Sequence, residues 1–204
     1  MVQKSEGRGR GRPRSYDPDA ALAAARDAFW EAGYSATSLD DLAAATGMNR
    51  PSLYAAFGDK HSLYLAALKG QAEGMLAATR AGLAFRGDLK ATLANFYSRA
   101  VDLYIGDRDS GRGCFLVGTA LADAVSDVEV RAVLRESFEQ MDTLMAERLQ
   151  RAVVDGDLPA DADVPTLTYV AMSALHGLAI RSRAGFSREA LGRLANAAAT
   201  AVCG

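Results

Sequence analysis

Apolar residues recur along this chain at the three- and four-residue spacing of amphipathic helices. The longest such stretch runs from about residue 127 to residue 155 and carries a stripe of seven: Val130, Leu134, Phe138, Met141, Leu144, Met145 and Leu149. The alternation typical of strands is absent, and alanine, the strongest helix former, is abundant. The pattern therefore predicts an all-α fold.

Capping residues mark where the first helices begin. Asp17-Pro18-Asp19 combines a cap, a first-turn proline and an acid near the positive end of the helix dipole. Thr37 and Ser38 each precede an aspartate by three residues, which is close to a capping box. Glycines end these elements. The first 80 or so residues are thus predicted to form a helix, two short helices over 38–46 and 49–57, and a long helix after Asp59.

Glycine- and proline-containing breaks divide the remainder into roughly five more helices. The last two are predicted over about 163–184 and 187–202. We divide the chain into a basic arm over 1–15, a DNA-binding domain over 16–62 and a second domain over 63–204. These two domains are expected to share a helix and to pack together.

Composition places the protein inside the cell. Half of the 204 residues are hydrophobic, which is enough for a packed core. No apolar stretch approaches the ~20 residues that a membrane helix needs, and the polar start has no signal-peptide pattern. Two cysteines are too few for a disulfide framework, so we expect a cytoplasmic protein.

The net charge of −2 argues against nucleic acid, but the charge is unevenly distributed. Residues 1–15 hold five basic residues against one acidic residue, whereas residues 16–60 hold three basic against seven acidic. The arm also contains three glycines and a proline and can bury little, so we expect it to be disordered when free. The pattern is that of a basic tail on an ordinary globular domain.

The two short helices around Gly47 have the size and spacing of a helix-turn-helix, which places its second helix in the major groove of DNA. On that helix Arg50 is the long hydrogen-bond donor, and its guanidinium suits the O6 and N7 atoms of guanine. Leu53 and Phe57 are expected to face the core. Helix-turn-helix geometry is by itself a weak signal, because many helical proteins contain two short helices around a glycine.

The residue string is more specific. The run Gly33-Tyr-Ser-Ala-Thr-Ser-Leu-Asp-Asp-Leu-Ala43, then Thr46-Gly-Met-Asn-Arg-Pro-Ser-Leu-Tyr54, then Phe57-Gly-Asp-Lys60 with Leu63, closely resembles the N-terminal domain of TetR/AcrR-family transcriptional regulators. The resemblance covers about residues 15–68. It implies a protein of about nine helices with a C-terminal ligand-binding domain. It further implies a homodimer formed through about residues 163–202, although these helices could instead only cap the core of one protomer. A two-fold dimer predicts a palindromic operator, and we expect a repressor that a small effector releases.

The resemblance also implies DNA contacts for part of the matched string. Lys60 and Tyr54 would bind backbone phosphates, and residues 50–52 would face bases. Capping alone explains Thr37 and Ser38 equally well, and Tyr54 could instead be a core aromatic. The expected contacts in this domain are Thr37, Ser38, Asn49, Arg50, Pro51, Ser52, Tyr54 and Lys60.

The arm adds Arg10, Arg12 and Arg14 to these contacts. Arg10-Gly11-Arg12-Pro13 has the core of a minor-groove hook, in which flat arginines enter a narrow A·T-rich groove. A solubilising tail is the alternative, but the position directly before a DNA-binding domain favours the groove.

The effector site is less well marked. Bulky or polar residues of the central helices are the candidates, although each could equally be ordinary core: Phe96, Tyr97, Tyr104, Cys114, Phe115, Phe138, Met141, Met145, Met172 and His176. Cys114 follows a glycine-rich loop and should begin a helix beside Arg112, and both features lower a thiol pKa. A thiol-based sensor of oxidants or electrophiles is therefore an alternative to a simple ligand pocket, and a small buried hydrophobe is the other interpretation.

Other classes of protein fit less well. Two histidines and two cysteines never fall into metal-ligand spacing, so no metal and no cofactor is expected. No spacing supplies the nucleophile or acid–base cluster of an enzyme. A constitutive architectural DNA binder would leave roughly 130 residues of helix without a use.

Overall fold

The structure is a computed structural model that describes residues 17–106 and 111–204. The basic arm, with Arg10, Arg12 and Arg14, lies outside the described residues. Within these ranges there are nine α-helices and no strand, which confirms the predicted fold class. They are α1 (Pro18–Ala32), α2 (Leu39–Thr46), α3 (Arg50–Phe57), α4 (Lys60–Leu83), α5 (Leu89–Ile105), α6 (Leu121–Asp123), α7 (Val128–Asp155), α8 (Val164–Arg183) and α9 (Arg188–Cys203).

The predicted caps are present. Asp17 accepts hydrogen bonds from the first turn of α1, and Asn49 and Asp59 cap α3 and α4 through the backbone N–H groups of Ser52 and Ser62. Ser38 and Asp41 form a reciprocal capping box at the start of α2. These local hydrogen bonds satisfy N–H groups that have no partner inside a helix, which is why the boundaries could be predicted within about one residue.

Helices α1 to α3 pack around a small apolar centre that continues into the rest of the molecule. Phe29, Leu42 and Leu53 are buried there, and the ring of Tyr64 on α4 lies 4.9 Å from the ring of Phe29. Helix α4 then packs along α7, while α5, α8 and α9 form the other side of the larger half. Because α4 belongs to both halves, the predicted division at residue 62 separates parts with different expected functions. It does not separate two hydrophobic cores.

The segment before α6 differs from the predicted regular helix. A π-helical turn, Leu116–Ala120, leads into α6, and its Gly118 lies against Arg183 at the end of α8. A Cβ at Gly118 would sit 3.2 Å from Cδ of Arg183, so a glycine permits the close approach. The π-helical turn, which is wider than an α-helical turn, thus packs against the end of α8.

Candidate DNA-binding surface and effector cavity

The turn between α2 and α3 is held in one conformation. Gly47 ends α2 with a φ of 66°, a left-handed conformation that side chains disfavour. Met48 is buried behind it, and its backbone N–H donates to the hydroxyl of Thr46 at 3.3 Å. With Leu53 also buried, α3 has a fixed rotation about its axis, and its first residues are left at the surface.

The predicted base-reading residue is paired in this structure. The guanidinium of Arg50 donates from two nitrogens to the two carboxylate oxygens of Asp40, at 2.8 and 2.5 Å. The pair joins the first turns of α2 and α3 on the exposed surface, and Arg50 holds the pKa of the Asp40 carboxyl below its ordinary value. Asn49 and Pro51 beside it are exposed, and Ser52 is half-buried.

Two predicted phosphate contacts lie near this surface. Tyr54 is 49 % exposed, so it is not a core aromatic. The ammonium of Lys60, the first residue of α4, lies 4.4 Å above the ring of Tyr34. An ammonium over an aromatic face is attracted to it, so this contact orients the Lys60 side chain.

Thr37 is a correction to the predicted DNA contacts. The residue is only 1 % exposed, and its hydroxyl donates to the carbonyl oxygen of Gly33 at 2.7 Å. A phosphate could not reach it without opening the turn after α1. Ser38 is exposed, but its hydroxyl is shared with the Asp41 carboxylate in the capping box, which lowers the pKa of that carboxyl.

The junction between the two halves is built from polar contacts around Trp30. The Trp30 indole N–H donates to the carbonyl oxygen of Arg112 at 3.2 Å, while the Arg112 guanidinium lies 4.3 Å from the Trp30 ring centroid and pairs with Asp27. Arg183 donates to the carbonyl oxygens of both Trp30 and Arg112 at 3.1 Å. The C-terminal end of α1 is therefore capped by the Arg183 guanidinium from the other half of the molecule.

A second junction connects the start of α4 with the start of α7. The Tyr64 hydroxyl donates to the Asp123 carboxylate, and His61 Nε2 lies 2.6 Å from Oδ2 of Asp127. Nδ1 of His61 is 3.8 Å from Glu129, so ligand atoms of His61, Asp127 and Glu129 lie within 4.8 Å of one another. Spacing along the chain could not show this cluster, because His61 is more than 60 residues away from Asp127 and Glu129. Each ring nitrogen of His61 therefore faces a carboxylate, Nε2 that of Asp127 and Nδ1 that of Glu129.

A cavity of about 340 Å³ lies between α4, α5 and α8. One wall is a helical stripe of α4 at positions 75, 78, 79 and 82, and the opposite wall is a stripe of α5 at positions 96, 99, 100, 103 and 104. Gly82 lets the walls approach, since a Cβ there would sit 2.8 Å from the Phe96 ring. The lining residues are Met75, Ala78, Thr79, Gly82, Phe96, Arg99, Ala100, Leu103, Tyr104 and Leu175.

Two of the ten predicted pocket residues, Phe96 and Tyr104, line this cavity, and eight do not. The Tyr97 hydroxyl donates to the carbonyl oxygen of Ala171, which fixes its ring in the core. The other seven are packed against neighbouring helices and side chains: Cys114, Phe115, Phe138, Met141, Met145, Met172 and His176. Met75, Thr79 and Arg99 were missed, because only the packing of α4 against α5 shows which of their residues face the cavity.

His176 and Cys114 are both shielded from water. The Phe138 ring lies 5.0 Å from that of His176, whose Nε2 has no hydrogen-bond partner among the described residues, and burial lowers the pKa of this histidine. Cys114 does stand at a helix start, but it is 2 % exposed with its sulfur 3.4 Å from that of Met75. Burial raises its pKa by more than the nearby backbone N–H groups lower it, so the predicted acidic thiol is wrong.

This fold and this surface define a helix-turn-helix protein of the transcription-regulator class. Residues 21–67 match the family profile described as "Bacterial regulatory proteins, tetR family", and residues 90–198 match "Tetracyclin repressor-like, C-terminal domain". The chain belongs to the TetR family. No helix within residues 17–106 and 111–204 is both long and apolar enough to cross a membrane.

Individual relatives agree with this assignment. The HTH-type transcriptional repressor ComR of Escherichia coli (strain K12) is 30 % identical over 187 residues, which are 91 % of this chain and 89 % of ComR. A CifR cysteine mutant, a TetR-family regulator complexed with 26-bp double-strand operator DNA, superposes with a TM-score of 0.80 at 33 % identity, covering 93 % of this chain and 99 % of that one. These relatives are transcriptional regulators rather than enzymes.

Proposed function

We propose that this protein is a ligand-responsive repressor that binds a palindromic operator as a homodimer and leaves it when a small effector binds. One observation carries the proposal: α4 begins at the DNA-binding surface with Lys60 and lines the cavity from Met75 to Gly82. A ligand that moves the far half of this helix acts on a rigid element that ends beside the DNA. ComR, which covers most of this chain, is named a repressor.

The proposed DNA contacts are the exposed residues of the helix-turn-helix together with the arm. Arg50, Pro51 and Ser52 would face bases, while Ser38, Asn49, Tyr54 and Lys60 would contact phosphate or its vicinity. Arg10, Arg12 and Arg14 would enter the adjacent minor groove and supply the positive charge that residues 16–60 lack. A CifR mutant, 33 % identical, has a solved structure in complex with 26-bp operator DNA, which supports an operator complex for this chain.

The proposed dimer interface is the surface of α8 and α9. Along α8, Tyr169, Val170 and Ile180 are large apolar side chains that are 43–66 % exposed. Exposed apolar residues repeating along one helix mark a surface that another helix can cover. Two copies related by a two-fold axis would present two recognition helices to two half-sites about one helical turn of DNA apart. Operator DNA would place this protein in the cytoplasm.

A constitutive architectural binder is the second candidate, and the cavity argues against it. Such a protein needs the helix-turn-helix and the arm, but it has no use for a 340 Å³ space on the helix that leads to the DNA.

The experiment is a binding-site selection followed by ligand release. Full-length protein is incubated with DNA flanking its own gene and with a random duplex library, and affinity is measured by fluorescence anisotropy. We expect a two-fold symmetric site bound by two protomers, and release by at least one compound of a metabolite panel. An asymmetric site bound by a monomer, or an operator affinity that no compound changes, would contradict the proposal.

A further inference from the structure

The cavity between α4 and α5 has one charged side chain among the described residues that line it. That side chain is Arg99, and it lies on an otherwise apolar wall between Phe96 and Leu103. Arg99 is exposed, which puts this lining residue at the solvent-accessible rim of the cavity rather than in its interior. No aspartate or glutamate is part of the described lining, so an entering ligand meets positive charge alone.

The Arg99 guanidinium is free of acidic partners within the described ranges. The nearest acid along α5 is Asp102, one turn away, and it is bound by Arg188 of α9 instead. Three other arginines of this half do pair with acids: Arg112 with Asp27, Arg135 with Glu139, and Arg193 with Glu189. An unpaired guanidinium beside apolar surface presents a planar fork of N–H donors, whose best partner is a carboxylate.

The interior of the cavity accepts an apolar body. Met75, Phe96 and Leu175 are buried apolar residues of the lining, and its described uncharged polar groups are the hydroxyls of Thr79 and Tyr104. Burial raises the pKa of Tyr104 well above its ordinary value, so this hydroxyl remains a neutral donor and does not repel an anion. No described cation lies deep in the cavity to balance a charged group there, so a charged group is expected at the rim.

We infer that the effector is a small amphipathic organic anion, a carboxylic acid with an alkyl or aryl body, whose body lies between α4 and α5 and whose carboxylate is bound by Arg99. The volume of about 340 Å³ lies at the lower end of the about 300–1,000 Å³ usual for ligand sites, so the ligand is small. This inference rests on the proposed function in taking the cavity as the effector site. Cationic and polyhydroxylated compounds are excluded by the same lining.

The test compares probes of equal length that differ only in charge. Octanoate, octanol and octylamine, together with 4-phenylbutyrate and 4-phenylbutanol, are titrated into full-length protein by calorimetry. We expect at least one carboxylate to bind about tenfold or more tightly than its matched alcohol and amine, the size of effect of a charge-assisted hydrogen bond. Equal affinities for carboxylate and alcohol, or no binding by any probe, would overturn the inference.

Substitutions of Arg99 test whether this side chain supplies the positive charge that binds the carboxylate. Arg99→Gln should remove the preference for the carboxylate and leave alcohol binding unchanged, whereas Arg99→Lys should retain part of it. Arg80→Gln, which removes the same charge from an exposed position of α4 outside the described lining, is the matched control and should change nothing. Ala100→Leu fills the cavity and should weaken both classes of probe. Circular dichroism and thermal unfolding confirm that each variant is folded.

DNA release is measured separately on the same variants. If carboxylates bind through Arg99 but DNA affinity is unchanged, the inference holds and the ligand-responsive function fails. If DNA is released by uncharged or cationic compounds, and Arg99→Gln responds to them like the wild type, the function holds and the inference fails.

Discussion

Arg50 and Asp40 form a two-bond ion pair that links the first turn of α3 to the first turn of α2 at the exposed end of the helix-turn-helix. Asp40 follows the capping residue of α2, and Arg50 is the first residue of α3. Both side chains are more than half exposed, so water and salt compete for the pair and it contributes little to stability. The ion pair matters for DNA binding, because the Arg50 guanidinium must leave the Asp40 carboxylate before it can bind a base edge.

Replacing either partner should therefore change DNA binding rather than folding. Arg50→Ala is expected to lower operator affinity about tenfold and to relax the preference at one base position per half-site. Asp40→Asn should raise affinity for any duplex, because it releases Arg50 and removes a negative charge near the phosphates. Anisotropy titrations on operator and scrambled duplexes measure both effects. Weaker binding by Asp40→Asn would mean that Asp40 orients Arg50 for reading.

Lys60 should act on all sequences alike. Lys60→Ala is expected to weaken binding to operator and unrelated DNA by the same factor, because a phosphate contact carries no sequence information. The slope of log K against log salt should become shallower by about one unit. Lys69→Ala, an exposed lysine more than two turns further along α4, is the control that should leave the slope unchanged.

Deletion of residues 2–14 should separate affinity from stability. The thermal unfolding midpoint is expected to remain the same, since the sequence of the arm offers almost no apolar surface to bury. Affinity at moderate salt should fall strongly, with a larger loss on operators that have A·T-rich flanks, where the minor groove is narrow. An equal loss on G·C-rich flanks would reduce the arm to a general electrostatic tether.

A charged residue on the outer face of α8 should yield monomers. Ile180 is 55 % exposed, so Ile180→Glu leaves the core of one protomer intact but places a charge in the proposed dimer interface. Light scattering should show the monomer mass, and DNA affinity should drop because two half-sites are no longer bound together. Leu194→Glu is a poorer probe, since Leu194 packs against the protomer core. Gln150→Glu on α7 should remain dimeric.

Cys114 should react as a buried thiol. In a Cys203→Ser background, labelling by a thiol reagent at neutral pH is expected to be slow until the protein unfolds. The raised pKa keeps the folded thiol neutral where an unfolded thiol ionises, so the stability that it contributes is present below the ordinary thiol pKa of about 8.5 and is lost as pH rises through the folded value. Denaturant midpoints across that range test the sign. Fast labelling of the native protein would restore a thiol sensor.

Helix boundaries were predictable because the interactions that set them are local. Asp17, Ser38, Asn49 and Asp59 each satisfy backbone N–H groups within three residues of themselves, so their meaning is readable in the sequence. Contacts between distant segments were not readable in this way. The pairing of Arg50 with Asp40 and the burial of Cys114 both depend on how helices are placed against one another.

The cavity shows why bulky residues were the wrong signal. Large side chains such as Met141, Met145 and Phe115 fill the space around them, which is why they are fully buried. Space remains where the lining includes small residues, here Ala78 on α4 and Ala100 on α5. Such residues are common on any helix of an alanine-rich chain, and only the tertiary packing decides which of them meet.

The cap that Arg183 places on the end of α1 has a consequence for protein engineering. Transcriptional regulators are often treated as modular proteins, in which the DNA-binding domain of one protein is fused to the effector-binding domain of another. Here the Trp30 indole N–H donates to the carbonyl oxygen of Arg112, and the Trp30 carbonyl oxygen accepts a hydrogen bond from Arg183. Both arginines belong to the larger, C-terminal half of the protein. A chimaera that keeps residues 17–59 but replaces the rest would lose the acceptor for the Trp30 indole N–H and the guanidinium that donates to the Trp30 carbonyl oxygen. New operator preferences are therefore better sought by exchanging side chains on α3 than by exchanging domains.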